Sequence, residues 1–165
     1  LSPEETLTIY LTTLKTMDTQ QLGNYLGIES LFSSSDTDKN SIATALVEQF
    51  HQNFDFEITG CNEESYTASI QTEITTFDSN AILTAYQAEQ ETYLNSADAV
   101  IDGSTKRYEK SLQLLLTNIK SNTATLKTSA VFHLINDGVS WKLQDSNTSI
   151  GNAIFGTLSS SPVSE

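Results

Sequence analysis

Cysteine is almost missing from this chain. Cys61 stands alone among 165 residues, so no intrachain disulfide can form. It sits in Thr59-Gly60-Cys61-Asn62, which reads as a turn between strands, with no cation close by in sequence to lower its pKa. It is read as an incidental thiol. A location outside the cell does not require disulfides, so the count stays compatible with a cell surface. Basic residues are also scarce: eight Lys and Arg face 21 Asp and Glu, for a formal net charge of −13. That balance argues against nucleic acid, whose phosphates would be repelled, and against anionic lipid. No apolar run approaches the roughly 20 residues of a membrane span. Glycine-rich phosphate loops and a Gly-x-Ser-x-Gly elbow are missing, and no His/Cys cluster has zinc spacing.

What is present is clear punctuation. Ser2-Pro3-Glu4-Glu5 supplies a cap, a first-turn proline and a capping-box glutamate ahead of Leu7, Tyr10, Leu11, Leu14 and Met17. A helix from about residue 3 to Asp18 is expected. A boundary placed so tightly against a cap suggests a trimmed domain with a signal or anchor removed upstream. Asp18 or Thr19 caps a short helix carrying Leu22, Tyr25 and Leu26, stopped by Gly27. Residues 33–40 read as a polar loop, after which Ser41 caps a helix with Ile42, Ala45, Leu46 and Phe50 on one face.

The period then changes. Phe54, Phe56 and Ile58 alternate with polar residues, a turn follows at Gly60–Glu64, and Tyr66, Ala68, Ile70, Thr72 and Ile74 alternate in turn. This is a hairpin with one wet face. Ile82, Ala85, Tyr86, Glu89 and Tyr93 share a helical stripe, broken at Asp102-Gly103-Ser104. A second helix carries Tyr108, Leu112, Leu115, Leu116 and Ile119, an antiparallel partner for the first. Ala124, Leu126, Thr128, Ala130, Phe132 and Leu134 then share one strand face. Asn136-Asp137-Gly138 makes the turn, and Val139, Trp141 and Leu143 return. Ile150, Ala153, Ile154 and Phe155 form a closing helix ended by Gly156.

The order ααα-ββ-αα-ββ-α predicts an α+β fold with helices on one face of a curved antiparallel sheet. One domain over 1–158 is expected, with a flexible tail at 159–165. The charge is lopsided: residues 1–105 hold two bases against seventeen acids, residues 106–165 six bases against four.

Several of these pieces resemble one family. Ser2-Pro3-Glu4-Glu5, Tyr10-Leu11, Leu14-Lys15 and Asp18 look like the opening helix of NTF2-like (cystatin-like) domains in Firmicute lipoproteins. Phe54–Ile58, Thr75–Asp78, Asp137-Gly138, Trp141–Leu143 and Ile154–Gly156 are similar too, in the same order. The resemblance implies a cone-shaped sheet around a cavity and an extracytoplasmic domain hung from an upstream lipidated cysteine. It carries no catalytic residues over. The helical pair at about 79–120 departs from the minimal pattern and could cover the cavity mouth.

The NTF2-like fold hosts isomerases, dehydratases and binding modules alike, so chemistry must decide. Isomerase-type sites need an acidic base and a proton donor in an apolar cavity. No Asp, Glu or His falls among the inward strand positions, and His133 should face outward. Tyr10, Tyr25, Tyr66 and Trp141 are the candidate ligand-pocket residues, the tyrosines as hydrogen-bond donors; the competing reading is that their rings fill the core. His51 suits a helix C-terminus. Asp36–Asn40 imitates half an EF-hand, but Ser41 replaces its glycine and Val47 its glutamate, so no calcium site is expected. Asn147-Thr148-Ser149 matches a glycosylation acceptor, idle in a bacterial context.

The sequence thus points to a non-enzymatic, extracytoplasmic binding or interaction module without metal or cofactor, monomeric or weakly dimeric. Its partner would be a small molecule or an envelope protein. The alternative is an isomerase- or dehydratase-type enzyme, or a small-molecule carrier, using the apolar cavity. A third reading pairs exposed sheet faces between subunits, with Val131, His133 and Ile135 as the apolar exceptions on a polar face.

Overall fold

The computed structural model describes residues 1–26, 37–159 and 162–163. In chain order the elements are α1 (Pro3–Leu14), α2 (Thr19–Leu26), α3 (Thr37–Asn53), β1 (Asp55–Glu63) and β2 (Thr67–Phe77). Then come α4 (Ser79–Leu94), α5 (Ala97–Ser121), β3 (Thr125–Asn136), β4 (Trp141–Leu143), α6 (Asn147–Phe155) and a 3-10 turn (Gly156–Ser159). The four strands make one antiparallel sheet in the order β1-β2-β3-β4. The chain is α+β, with the element order read from the sequence.

Helices cover one face of the sheet. On β2 the even-numbered residues Ala68, Ile70, Thr72, Ile74 and Thr76 are buried, while the odd-numbered ones from Thr67 to Thr75 are half-buried or exposed; Phe77, at the strand end, is buried as well. Helices α3 and α6 lie on β2, and α1 reaches β1, β2 and β4. Leu7, Leu11 and Leu14 of α1, spaced by four and three, are fully buried. Phe50 stacks on Phe54 with centroids 4.7 Å apart, and Phe155 joins Phe50 and Phe77 at 6.0 and 5.8 Å. These rings tie α3, α6 and β2 into one core.

Helix α5 packs on α3, and α4 packs on α5 and on the 3-10 turn, so this hairpin stands outside the layer that covers the sheet. Asp78 caps α4 by accepting from the Asn80 and Ala81 N–H groups. The break between the two helices lies at Asn95-Ser96, earlier than the sequence suggests, because the Ser96 hydroxyl caps α5 by accepting from Ala99 N–H. Gly103 is a kink inside α5, at φ 78° and ψ 175°, a conformation that only glycine adopts readily. Around the kink the Asp102 carboxylate accepts from Lys110 Nζ and from Tyr93 OH, each at 2.6 Å.

Other boundaries shift for local reasons. Helix α1 stops at Leu14, four residues early, as Lys15, Thr16 and Met17 N–H groups reach back three residues to tighten the last turn. Residues 37–40 belong to α3 rather than to a loop, so Ser41 lies inside the helix and not at its start. Their polar side chains carry no apolar period and so leave no helical signature in the sequence. Gly27 as a helix stop and the loop at 33–36 lie outside the described residues, as does Asp36 of the half EF-hand. Residues 37–47 of that half-motif are helical.

Cys61 is not in a turn. Strand β1 runs on to Glu63 with a bulge between Ile58 and Gly60, placing Ile58 opposite Thr72 and Cys61 opposite Ile70. The extra residue lets positions three apart face the same side. Val139 lies in the β3–β4 turn and is exposed, and β4 begins only at Trp141. β4 pairs with Leu134–Asn136 alone, so among the described residues no strand flanks the rest of that side of β3. Leu126 and Thr128, expected inside, are therefore exposed, and Ala130 is half-buried. Within the segment expected as a tail, Val163 is 7% exposed and packed on the core. Residues 160–161 and 164–165 lie outside the described ones.

Candidate functional site

Where α1, α2, β4 and the start of α6 meet beside the sheet, a pocket of about 320 Å³ opens. Its floor is apolar, from Leu7, Leu134 and Leu143. Tyr10 follows Leu7 by three residues and so stands at the border of the buried stripe of α1. Tyr25 stands likewise three residues beyond Leu22 on α2. Trp141, opposite Asn136, opens β4. These three rings line one pocket. The two tyrosine rings are 5.7 Å apart and tilted by 44°.

Helix α2 is held by Asp18, whose side chain accepts from Gln21 N–H at 2.8 Å while Gln21 Oε1 accepts from Asp18 N–H at 3.1 Å. Trp141 is placed by the turn before it. Gly138 takes φ 96°, and Asp137 Oδ1 accepts from the Val139 and Ser140 N–H groups at 2.9 Å each. Those two N–H groups and then Lys142, 3.0 Å away, hold the Asp137 carboxyl far below the ordinary carboxylate range. Lys142 borders the pocket, yet its charge is engaged by Asp137.

The polar rim is built by the chain between β4 and α6. Asp145 Oδ2 accepts from the His133 N–H at 2.8 Å, in the place a strand carbonyl would take, and Oδ1 lies 3.4 Å from His133 Nδ1. Ser146 caps α6, and Asn147 Oδ1 accepts from the Tyr10 hydroxyl at 3.3 Å. Burial first, then the neighbouring Tyr25 and the Asp145 charge, push the Tyr10 hydroxyl well above its ordinary pKa. Tyr10 is therefore a neutral donor at any physiological pH.

Three of the four residues singled out in the sequence meet here. Tyr66 does not: β2 begins at Thr67, so Tyr66 sits in the hairpin turn, 66% exposed, its carbonyl accepting from Asn136 N–H. Its parity with Ala68 is right, but the helical layer ends before it. Asp145 and Asn147 are the polar groups that strand alternation misses, since they lie past the end of β4. None of the lining comes from α4 or α5, so the helical hairpin does not cover this pocket. His51 stands in the last turn of α3, with Nε2 2.9 Å from the Met17 carbonyl oxygen. A wider hollow of about 530 Å³ beside Thr13, Met17 and Tyr25 is lined, among the described residues, by α1, α2 and the turn between them. Among the described residues, no three His, Cys, Asp or Glu side chains are grouped to hold a metal ion.

No protein-family model matches the chain, and no curated protein sequence matches it. Its fold is similar to the crystal structure of a "putative lipoprotein (ycdA)" from Bacillus subtilis subsp. subtilis str. 168, with a TM-score of 0.54 and 12% identity. The match covers 94% of this chain and 47% of the other, so the chain spans about half the length of that protein. At that identity the likeness is one of fold.

Proposed function

We propose that this chain is a non-enzymatic binding module of a cell-surface lipoprotein, with the Tyr10–Tyr25–Trp141 pocket as its ligand site. The observation that carries the reading is the convergence of three aromatic rings from separate elements on one apolar floor, rimmed by Asp145 and Asn147. Apolar concavities with a few placed polar groups are what small-molecule sites need. Tyr10 stays protonated and Asp145 is engaged by a main-chain N–H, which suits orientation of a ligand better than proton transfer.

An extracytoplasmic, lipid-anchored location is supported by the fold likeness to a protein described as a lipoprotein. No helix among the described residues is long and apolar enough to cross a membrane. The fold is taken as one NTF2-like domain over 1–158, with three helices ahead of two antiparallel hairpins as support. The mostly polar outer sheet face, with Val131 and Ile135 as exposed exceptions, supports a monomer or weak dimer.

Ligand-observed NMR with a fragment library tests the reading. Hits should compete with one another and be lost in Tyr25→Ala, a change at a partly exposed ring. Fragments that bind the two proteins equally would overturn it.

A further inference from the structure

We propose that the pocket accepts an organic cation, an alkyl- or quaternary-ammonium group; this rests on reading the pocket as a binding site. Tyr10 and Tyr25 pack against each other, with centroids 5.7 Å apart and planes inclined by 44°, and both line the pocket, so it is bordered by two differently oriented rings instead of one flat platform. Trp141 lines the same pocket. Aromatic faces carry negative potential, and a cation within about 6 Å of several rings is attracted by each of them. A sugar, stacking through the C–H face of its puckered ring, would favour a single flat aromatic surface.

Charge points the same way. Asp145 contributes a carboxylate at the rim, met by the His133 N–H and ring. The pocket's one lysine, Lys142, has its ammonium 3.0 Å from Asp137. A chain with net charge −13 draws cations toward it and repels anions. The floor of Leu7, Leu134 and Leu143 suits methyl or methylene groups on nitrogen, which a bare metal ion or ammonium would leave unused.

Trp141 is the sole tryptophan of the chain, so its fluorescence reports on this site alone. The experiment titrates the whole chain with choline and with 3,3-dimethylbutanol, a neutral molecule of nearly the same shape. Choline should change the Trp141 emission saturably, and the neutral analogue should bind at least about tenfold more weakly. Tyr25→Ala should weaken choline about two- to thirtyfold, the range for one ring. Asp145→Asn, which keeps an acceptor for the His133 N–H, should weaken choline while leaving the neutral analogue unchanged.

Vesicles of phosphatidylcholine in a second arm separate a lipid headgroup from a free solute as the source of the ammonium. Sedimentation with the vesicles supports the first, and choline binding without sedimentation supports the second. Equal affinity for choline and its neutral analogue overturns the cation inference. A methyl glycoside that shifts Trp141 where choline does not also overturns it, and leaves the pocket reading standing. If choline, the glycoside and the fragments all leave Trp141 unchanged, both readings fall.

Discussion

Thr72 lies at the middle of β2, 2% exposed, opposite Ile58 on one side and Ala130 on the other. Ile70 and Ile74 flank it on the same face, both buried. Its Oγ1 is buried and has no hydrogen-bond partner among the described residues. Valine has nearly the same shape, so Thr72→Val exchanges this hydroxyl for a methyl without opening a cavity. Both residues are β-branched, which leaves strand preference unchanged. A buried hydroxyl without a partner costs about 1–3 kcal/mol. Thr72→Val should therefore raise the unfolding free energy by about 1–2 kcal/mol. At this chain length that corresponds to roughly 2–8 °C in Tm. Thr72→Ser keeps the hydroxyl and deletes the methyl, and should lower stability by about 1 kcal/mol. Urea unfolding followed by circular dichroism, compared at constant m, reads both changes. If the valine variant is less stable than the parent by more than about 0.5 kcal/mol, beyond the error expected of such mutants, the hydroxyl is satisfied and the argument fails.

Three further outcomes are expected. Asp78→Ala removes the two capping bonds of α4 and should cost about 1 kcal/mol by the same assay; an unchanged midpoint would mean the cap contributes nothing. Gly103→Ala has no atom within 4 Å to clash with, so its loss of about 1–3 kcal/mol would be the backbone cost alone, and full stability would show the kink to be dispensable. The Lys110 ammonium and then the Tyr93 hydroxyl hold the Asp102 carboxyl below its ordinary pKa. A depressed folded pKa gives stability that is present above about pH 4 and lost as pH falls below it. Asp102→Asn should accordingly be less stable than the parent at pH 7, with the gap narrowing in acid; a gap independent of pH refutes the assignment.

The strands were legible because one face is wet: the alternation at Ala68–Ile74 matches the burial residue for residue. It failed where the backbone inserts a residue, since the bulge before Gly60 breaks the period and makes a strand look like a turn. The start of α3 carries no apolar period, and the break at Asn95-Ser96 rests on one serine hydroxyl. In the site, Tyr10 and Tyr25 were readable as aromatics at the helical spacing of the apolar stripes of α1 and α2. Tyr66 was misplaced by one residue at the strand end. Asp145 was invisible, because its position follows from a bond to the main chain of His133, and sequence patterns do not encode such a bond.

β2 and β3 pair along the length of β2, from Thr67 opposite Ile135 to Phe77 opposite Thr125, although α4 and α5 lie between them in sequence. Closing a disordered loop of that size carries an entropy cost that rises with its length, and sheets of distant partners assemble slowly. The two helices remove most of that distance. They carry the chain out and back, and the Asp78 N–H meets the Ala124 carbonyl at 2.9 Å. Helices form within about a microsecond, long before distant strands meet. The helical hairpin thus acts as a clasp in the folded chain: it holds the ends of the two central strands side by side, Phe77 opposite Thr125, so that their pairing spans a short gap instead of a long loop.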